Sequence, residues 1–507
     1  MPVPAPTIAP PTDPALSHDP IETAAPHGAR RWWVLAVIAL AQLTVVLDGT
    51  IVNIALPSAQ VDLGMSDASR SWVVTAYALA FGGLLLLGGR IADYWGRKRA
   101  FLTGMIGFAV ASAIGGLAQN AAELFVARAL QGIFAALLAP AALALLAVTF
   151  PTGRDRVRAF AVFGAIGGGG AAIGLVFGGL LTEYASWRWC LLVNIPIAIM
   201  AVSAGSRLIV ESRAVGNVRY DWPGVWLVAG GLGSLVYGFT QAENGWNTGP
   251  VWGFVGAGIV LLALFVLVES RSGHPLLPLR IPAQRDRAGA FLAAFLAGTA
   301  MLGGLLFLTY YLQIVLAYGP ITAGLATLPM TAAVMISATA SAHFLPLVGP
   351  RSLLATGPVV AAGGLLFLAQ LETTSSYAAH VLPGLLLLGV GMGMVFVPLQ
   401  SIALLGVGPH DAGAASALVN AAQQIGGSLG TALFSTIALT ATTAFVPADA
   451  GAGTASLDAL TAGYTHAFAW AAVLIVLIAP ISLALVRATK TDLGGEARLG
   501  ATAKVRR

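Results

Sequence analysis

The sequence predicts an all-helical protein that crosses a membrane many times. Three observations carry this reading. Of 507 residues, 57% are hydrophobic and only 9% charged, where soluble domains hold about 25% charged residues. Apolar runs of about 20 residues, the length that spans a hydrocarbon core of about 30 Å, recur from Trp32 to Val486. The basic residues fall in short clusters between those runs. This composition excludes an ordinary soluble enzyme. It also excludes a disordered chain, which needs low hydrophobicity and high charge.

Fourteen spans are expected, at 32–56, 71–90, 99–118, 122–149, 158–182, 187–208, 222–241, 250–269, 288–316, 321–347, 352–371, 379–405, 412–442 and 465–487. The glycine-rich runs 222–241 and 352–371 are the weakest of them. Eight prolines precede His27, so residues 1–29 read as a disordered tail. The first apolar run is too long for a cleaved signal and is expected to stay in the mature chain.

The positive-inside rule tests the count. With the N-terminus in the cytoplasm, 23 of the 26 Lys and Arg residues fall in cytoplasmic segments. Arg70 and Arg188 fall outside, and Arg128 lies within a span. An even count places both termini in the cytoplasm. Beyond the eighth span the loops hold too little charge to test each helix separately.

Arginine outnumbers lysine 23 to 3, which points to a GC-rich and bacterial source, hence to a bacterial plasma membrane. The net charge of +5 is dispersed rather than gathered in one stripe, so no nucleic-acid partner is expected. A single cysteine, Cys190, allows neither an internal disulfide nor a thiolate metal cluster. It reads as a small packed side chain. No lysine follows a glycine, so there is no Walker A sequence. His343, His380 and His466 lack the spacing of metal or haem ligands. The longest loops run to about 20 residues, too short for a catalytic domain, and no nucleophile–base pair stands out. No enzyme, metal or bound cofactor is expected.

Several motifs stand at defined places. The loop after the second span reads Gly89-Arg-Ile-Ala-Asp93-Tyr-Trp-Gly96-Arg97-Lys98-Arg99. The first span ends Leu47-Asp48-Gly49-Thr50-Ile51-Val52-Asn53-Ile54-Ala55-Leu56-Pro57. Arg128-Ala-Leu-Gln131-Gly132 lies in the fourth span, and Trp187-Arg188-Trp189 with Asn194-Ile-Pro196 opens the sixth. Tyr310-Tyr311-Leu312-Gln313 and Gln423-Gln424-Ile425-Gly426-Gly427 follow later. Over residues 30–487 the chain resembles the major facilitator superfamily, and within it the fourteen-helix drug:proton antiporters of the EmrB/QacA type.

The resemblance implies two six-helix bundles, 30–208 and 288–487, joined by a two-helix insertion and linkers at 209–287, with a basic tail at 488–507. It implies proton-coupled efflux of small amphipathic organic molecules by alternating access. The proton gradient supplies the energy, no cofactor is needed, and the chain is expected to work as a monomer. The loop of Gly89, Asp93, Gly96, Arg97 and Lys98 is implied to be a latch that holds the outward-facing state. A plain topogenic basic loop is the alternative.

Each motif also has a physical reading. Gly89 and Gly96 allow a sharp turn, and Asp93 can meet arginines or a helix N-terminus. Asp48 is an ionisable group inside the membrane and therefore a functional candidate. It lies about 22 Å from the inner face, at 1.5 Å per residue from Trp33, which leaves about 8 Å to the outer face of a core of about 30 Å; Arg128, about five residues into a span that enters from outside, is also about 8 Å deep. Pairing offsets their desolvation, and a buried carboxylate can take up a proton near neutral pH. Asp48 coupled to Arg128 is the candidate for proton handling; a structural ion pair, or Asp48 capping a helix break near Gly49, is the alternative.

In the fifth span Gly170, Gly174 and Gly178 recur every four residues, with Gly179 beside them, and share a face suited to close helix approach. The run resembles the antiporter motif of the superfamily, but Leu175 stands where that motif has proline. This departure favours an importer on the same scaffold as a rival reading. A lipid-handling carrier is a second rival, and a membrane-embedded enzyme a third.

Internal repetition is faint: aligning Gly349 with Gly96 puts Pro346 opposite Asp93, so the second half lacks the acid. Substrate-contact candidates are the polar and aromatic groups within spans: Gln42, Tyr77, Phe81, Tyr310, Tyr311, Gln313, Asn420 and Gln424. Each could equally serve packing or an interhelical hydrogen bond. No acid other than Asp48 lies deep in a span, which favours neutral or at most monovalent substrates.

Overall fold

A computed structural model describes residues 28–66, 69–213, 221–242, 246–273, 275–407, 412–445, 456–489 and 492. Most of the proposed disordered tail and the basic C-terminal tail lie outside these residues. Among them the long elements are fourteen helices, and no strand occurs. In chain order they are α1 Arg30–Asp62, α2 Trp72–Trp95, α3 Arg97–Gly116, α4 Ala121–Thr149, α5 Gly153–Tyr184 and α6 Trp189–Leu208. α7 Trp222–Gln241 and α8 Gly249–Arg271 follow. The second set is α9 Arg285–Val315, α10 Pro320–Val348, α11 Pro350–Leu368, α12 Tyr377–Leu404, α13 Ala412–Phe445 and α14 Leu457–Leu485.

Thirteen of these helices are long and apolar enough to cross a membrane. α7 falls short only in apolarity, because glycines and two tryptophans dilute its leucines and valines; its 20 residues still span about 30 Å. Several helices outrun the apolar windows, α1 by six residues at its end, because helical hydrogen bonding continues into the polar boundary layer.

Two features depart from expectation. Gly89 lies inside α2 rather than in a turn, with its open face against Pro140. Only Gly96 separates α2 from α3, and its φ of 124° makes the whole turn. The expected loop of seven or eight residues is therefore one residue long, because both helices run to their hydrogen-bonding limit. Gly349, at φ 80°, makes the same single-residue turn between α10 and α11. α1 also runs unbroken through Gly49, so Asp48 caps no helix break.

The helices form two bundles of matching arrangement. α2 packs on α4 and α1 on α5; in the second bundle α10 packs on α12 and α9 on α13. The bundles meet through two equivalent pairs, α2 with α13 and α5 with α10. α7 and α8 pack on each other, with the Gly231 carbonyl against Gly258, and α7 rests on α2 and α13. α8 leaves Trp252, Ile259, Val260, Leu264, Val266 and Leu267 exposed, an apolar face suited to hydrocarbon.

Among the described residues, the bundles close at one end, where their hydrogen bonds to each other gather. Away from the basic loops, a Cβ on Gly179 of α5 would fall 2.7 Å from the Pro320 carbonyl oxygen, and Gly324 of α10 lies against the Leu175 carbonyl. There Ser428 Oγ also donates to the Thr75 carbonyl at 3.4 Å. Toward the basic loops, Gly164 and Gly169 of α5 and Gly413 of α13 have nothing within 4 Å of the space a Cβ would fill.

Candidate functional site

The buried polar centre of the molecule lies in the first bundle and draws on five helices. Asp48 comes from α1 and is fully buried; Arg128 comes from α4 and is 2% exposed. Arg128 Nη1 lies 2.5 Å from Asp48 Oδ2. Its Nε donates to the Val73 carbonyl of α2 at 2.9 Å, and its Nη1 also donates to Gln131 Oε1 at 2.8 Å. The guanidinium stacks 4.5 Å from the centre of the Tyr77 ring, a cation–π contact. The other carboxylate oxygen, Asp48 Oδ1, accepts from Gln131 Nε2 at 2.8 Å and from Asn194 Nδ2 at 3.0 Å. Ser112 Oγ of α3 accepts from both amides, at 2.7 and 3.3 Å.

Local sequence places these groups. Asn120 caps α4 by accepting from the Glu123 amide at 3.0 Å, while Glu123 Oε2 accepts from the Gln119 amide at 2.8 Å. This reciprocal cap fixes where α4 starts, and Arg128 follows about two turns later. In α6, Pro196 has no amide to offer the Leu192 carbonyl. The helix breaks at Val193, and Asn194 opens the next segment facing Asp48. On α5, Gly170, Gly174 and Gly178 face Val46, Thr50 and Ile51 of α1; a Cβ on Gly170 would fall 3.2 Å from Val46, and one on Gly178 would fall 2.8 Å from Ile51. The glycine face thus presses α5 onto the helix that carries Asp48, while Gly179 touches the other bundle.

The segment from Asp93 to Lys98 pairs within its own bundle. Arg97 Nη2 and Nε lie 2.9 and 3.1 Å from Asp93 Oδ1, and Lys98 Nζ donates to the Ser206 carbonyl at 2.7 Å. Glu211, after α6, accepts from the amides of Lys98 and Arg99 at 3.0 and 3.2 Å and so caps α3.

The substrate candidates separate into three groups. Tyr77 and Phe81 stack on each other with ring centres 5.7 Å apart and adjoin the Asp48 site; Gln424 faces Gly82 across the bundle interface. Gln42 faces Gly167 of α5, and Asn420 is exposed, donating to the Ser416 carbonyl at 3.0 Å. Tyr310, Tyr311 and Gln313 lie at the closed end. Tyr310 donates to Gln60 Oε1 at 3.1 Å, Tyr311 to the Glu372 carbonyl at 2.7 Å, and Gln313 Nε2 to the Ile54 carbonyl at 2.9 Å. Arg70 lies 3.8 Å from the Tyr310 ring centre. Arg188 pairs with Asp62, which also accepts from Trp187 Nε1 at 3.0 Å.

Four site residues were not singled out as such in the sequence. Gln131 and Asn194 were visible only as motif landmarks; a polar residue inside an apolar run was their signal. Ser112 and Glu211 carry no signal, since a serine in a span and an acid in a loop are both ordinary.

The chain matches the Major Facilitator Superfamily over residues 38–431. It belongs to that superfamily. Among relatives of this Major Facilitator chain, a puromycin resistance protein of Streptomyces alboniger is 49% identical over 479 residues, covering 93% of this chain and 95% of the relative. A cephamycin export protein of Amycolatopsis lactamdurans is 38% identical, covering 90% and 93%. The fold also matches a bacterial homologue of the human lysosomal transporter Spinster, with a TM-score of 0.64 at 15% identity, covering 92% of this chain and 99% of that one. The Major Facilitator chain is therefore a multi-pass membrane transporter of efflux type.

Proposed function

We propose that this exporter of small organic molecules is a proton antiporter whose proton is carried by Asp48. The observation that carries the reading is the Asp48 carboxylate itself. It is fully buried, and among the described residues it is the one acid deep within a helix rather than near an end. It is bound to Arg128, Gln131 and Asn194 from two other helices. A charge at such a depth is expensive and marks ion pathways. With Asp48 ionised, these donors tie α1 to α4 and α6. Protonation cancels the attraction to Arg128 and loosens that tie, which couples proton uptake to rearrangement of the first bundle.

The orientation follows from the basic loops. Their end faces the cytoplasm of a bacterium, both termini lie there, and the conformation is open toward it. Substrate enters from that side. The closed end opens outward, where substrate leaves and Asp48 takes its proton. The gradient supplies the energy with no cofactor, and one chain suffices. The scarcity of deep acids suits a monovalent or neutral amphipath, and puromycin, for which the 49% identical relative is named, is the compound to try first.

The test uses inverted membrane vesicles under an imposed proton gradient. Adding puromycin is expected to release protons from vesicles with the wild-type chain and not from those with Asp48→Asn. Equal release from both returns Asp48 to a structural role.

A further inference from the structure

Asn194 lies against the Asp48 carboxylate with one polar atom unused. Its Nδ2 donates to Asp48 Oδ1 at 3.0 Å and to Ser112 Oγ at 3.3 Å. Its Oδ1 is buried and, among the described residues, has no hydrogen-bond partner. Asn194 itself is fully buried. A buried acceptor left without a donor costs free energy, so a native structure that keeps one invites an explanation.

The surroundings of Asp48 suit only its ionised form. Gln131 Nε2, Asn194 Nδ2 and Arg128 Nη1 all donate to it. A proton added at Oδ1 creates an O–H that meets two N–H groups and needs an acceptor. Arg128 has none to give. Gln131 Oε1 is already engaged by Arg128 at 2.8 Å. Asn194 Oδ1 is the nearby acceptor with no partner, and a half turn of its amide brings that atom to the position Nδ2 now holds.

We infer that Asn194 is a positioning residue that serves both protonation states of Asp48: its amide donates to the carboxylate and, turned over, accepts from the carboxylic acid. This rests on the reading of Asp48 as the proton carrier. The amide turns within its own site, and Ser112 Oγ, which accepts from Nδ2 before the turn, can donate to Oδ1 after it. The other titratable groups facing Asp48 are Arg128 of α4, Tyr77 of α2 and Cys190 of α6. α3 offers Ser112, and α5 offers Gly174 and Gly178, none of which titrates.

The amide oxygen separates this role from simple carboxylate support. Without the Asn194 amide, the carboxylate loses a charge-assisted bond and the acid a neutral one, so the two losses oppose each other in the midpoint. The oxygen of a residue that only donated to the carboxylate would stay unbonded in both states. An amide that turns over gains a hydrogen bond at its oxygen when Asp48 is protonated, which lowers its C=O stretching frequency.

The full-length chain in lipid nanodiscs is titrated while the carboxylic-acid C=O stretch of Asp48 and the side-chain amide C=O stretch of Asn194 are followed by infrared spectroscopy. The Asp48 band is the one missing in Asp48→Asn. The Asn194 band is the one missing in Asn194→Leu, or in Asn194→Ala should the leucine variant not fold. The Asn194 band is expected to move to lower frequency over the same pH range in which the Asp48 band appears. An Asn194 band that stays in place while the Asp48 band appears overturns the inference and leaves Asp48 as carrier. Absence of any Asp48 band across the titration overturns both.

Discussion

Glu211 occupies the space that a side chain on Gly96 would need. A Cβ at Gly96 would lie 2.8 Å from the Glu211 carboxyl, and the backbone there has φ 124°. The same carboxylate caps α3 through the amides of Lys98 and Arg99. Gly96→Ala is therefore expected to strain the backbone and displace the cap together, lowering stability by about 1–3 kcal/mol. Glu211→Ala removes the cap and the exposed Arg99 contact at 3.7 Å without straining the turn, and is expected to cost about 1 kcal/mol. Thermal unfolding of both variants in the same detergent checks the order; equal effects would mean that the turn itself is unstrained.

Arg128→Lys tests whether the guanidinium matters beyond its charge. Lysine keeps one cation near Asp48 but cannot also donate from Nε to the Val73 carbonyl while bonding Gln131 Oε1. It also loses the flat stack on Tyr77. Loss of two such bonds, each about 1 kcal/mol or more, is expected to cut proton-driven export by at least tenfold with the protein still folded. Export rates in inverted vesicles, normalised to transporter amount, provide the measurement; wild-type rates would show that charge alone suffices.

The helices and the ion pair were legible in the sequence, and the reason is local. Apolar runs report their own burial, and a lone Asp and a lone Arg at matching depth have few other partners. The shape of the signature turn was not legible, because glycine at 89 and at 96 looks alike until helical hydrogen bonding decides which one is needed. Asn194 escaped for a different reason. It meets Asp48 across 146 residues of chain, and only the break before Pro196 aims it there. Ser112 sits in a span of small residues, where nothing marks one serine as the shared acceptor of two amides. α7 shows the converse: its glycines weaken the hydropathy signal and are the residues that let α8 approach.

The glycine face of α5 makes a contrast that substitution can read. A Cβ at Gly174 would collide with Thr50 of α1, while one at Gly164 would meet nothing within 4 Å. Gly174→Ala is expected to destabilise by about 1–3 kcal/mol through overpacking. Gly164→Ala is expected to be neutral or slightly stabilising, since alanine favours the helix by about 1 kcal/mol. Adding Thr50→Ala to Gly174→Ala is expected to recover part of the loss, because Thr50 Oγ1 is the atom in the way. The melting temperatures of the three variants decide; no recovery in the double variant would place the clash in the α1 backbone.

The closed end rests on few bonds between bundles, and each is open to removal. Gln313 Nε2 reaches the Ile54 carbonyl at 2.9 Å, Tyr310 reaches Gln60 at 3.1 Å, and Glu183 Oε2 accepts the Ile321 amide at 3.0 Å. These join the bundles only while this end is shut. Removing one takes stabilisation from this conformation and none from the alternative, so it shifts their ratio without touching the Asp48 site. One hydrogen bond of about 1 kcal/mol changes a two-state ratio by about fivefold. Gln313→Ala is expected to raise the population open at this end by that factor, and Gln313→Ala with Tyr310→Phe to raise it further. Distances between spin labels placed on α1 and α10 at this end, measured without substrate, read the ratio directly. An unchanged distribution in the double variant would assign the closure to the glycine contacts of Gly179 and Gly324 instead.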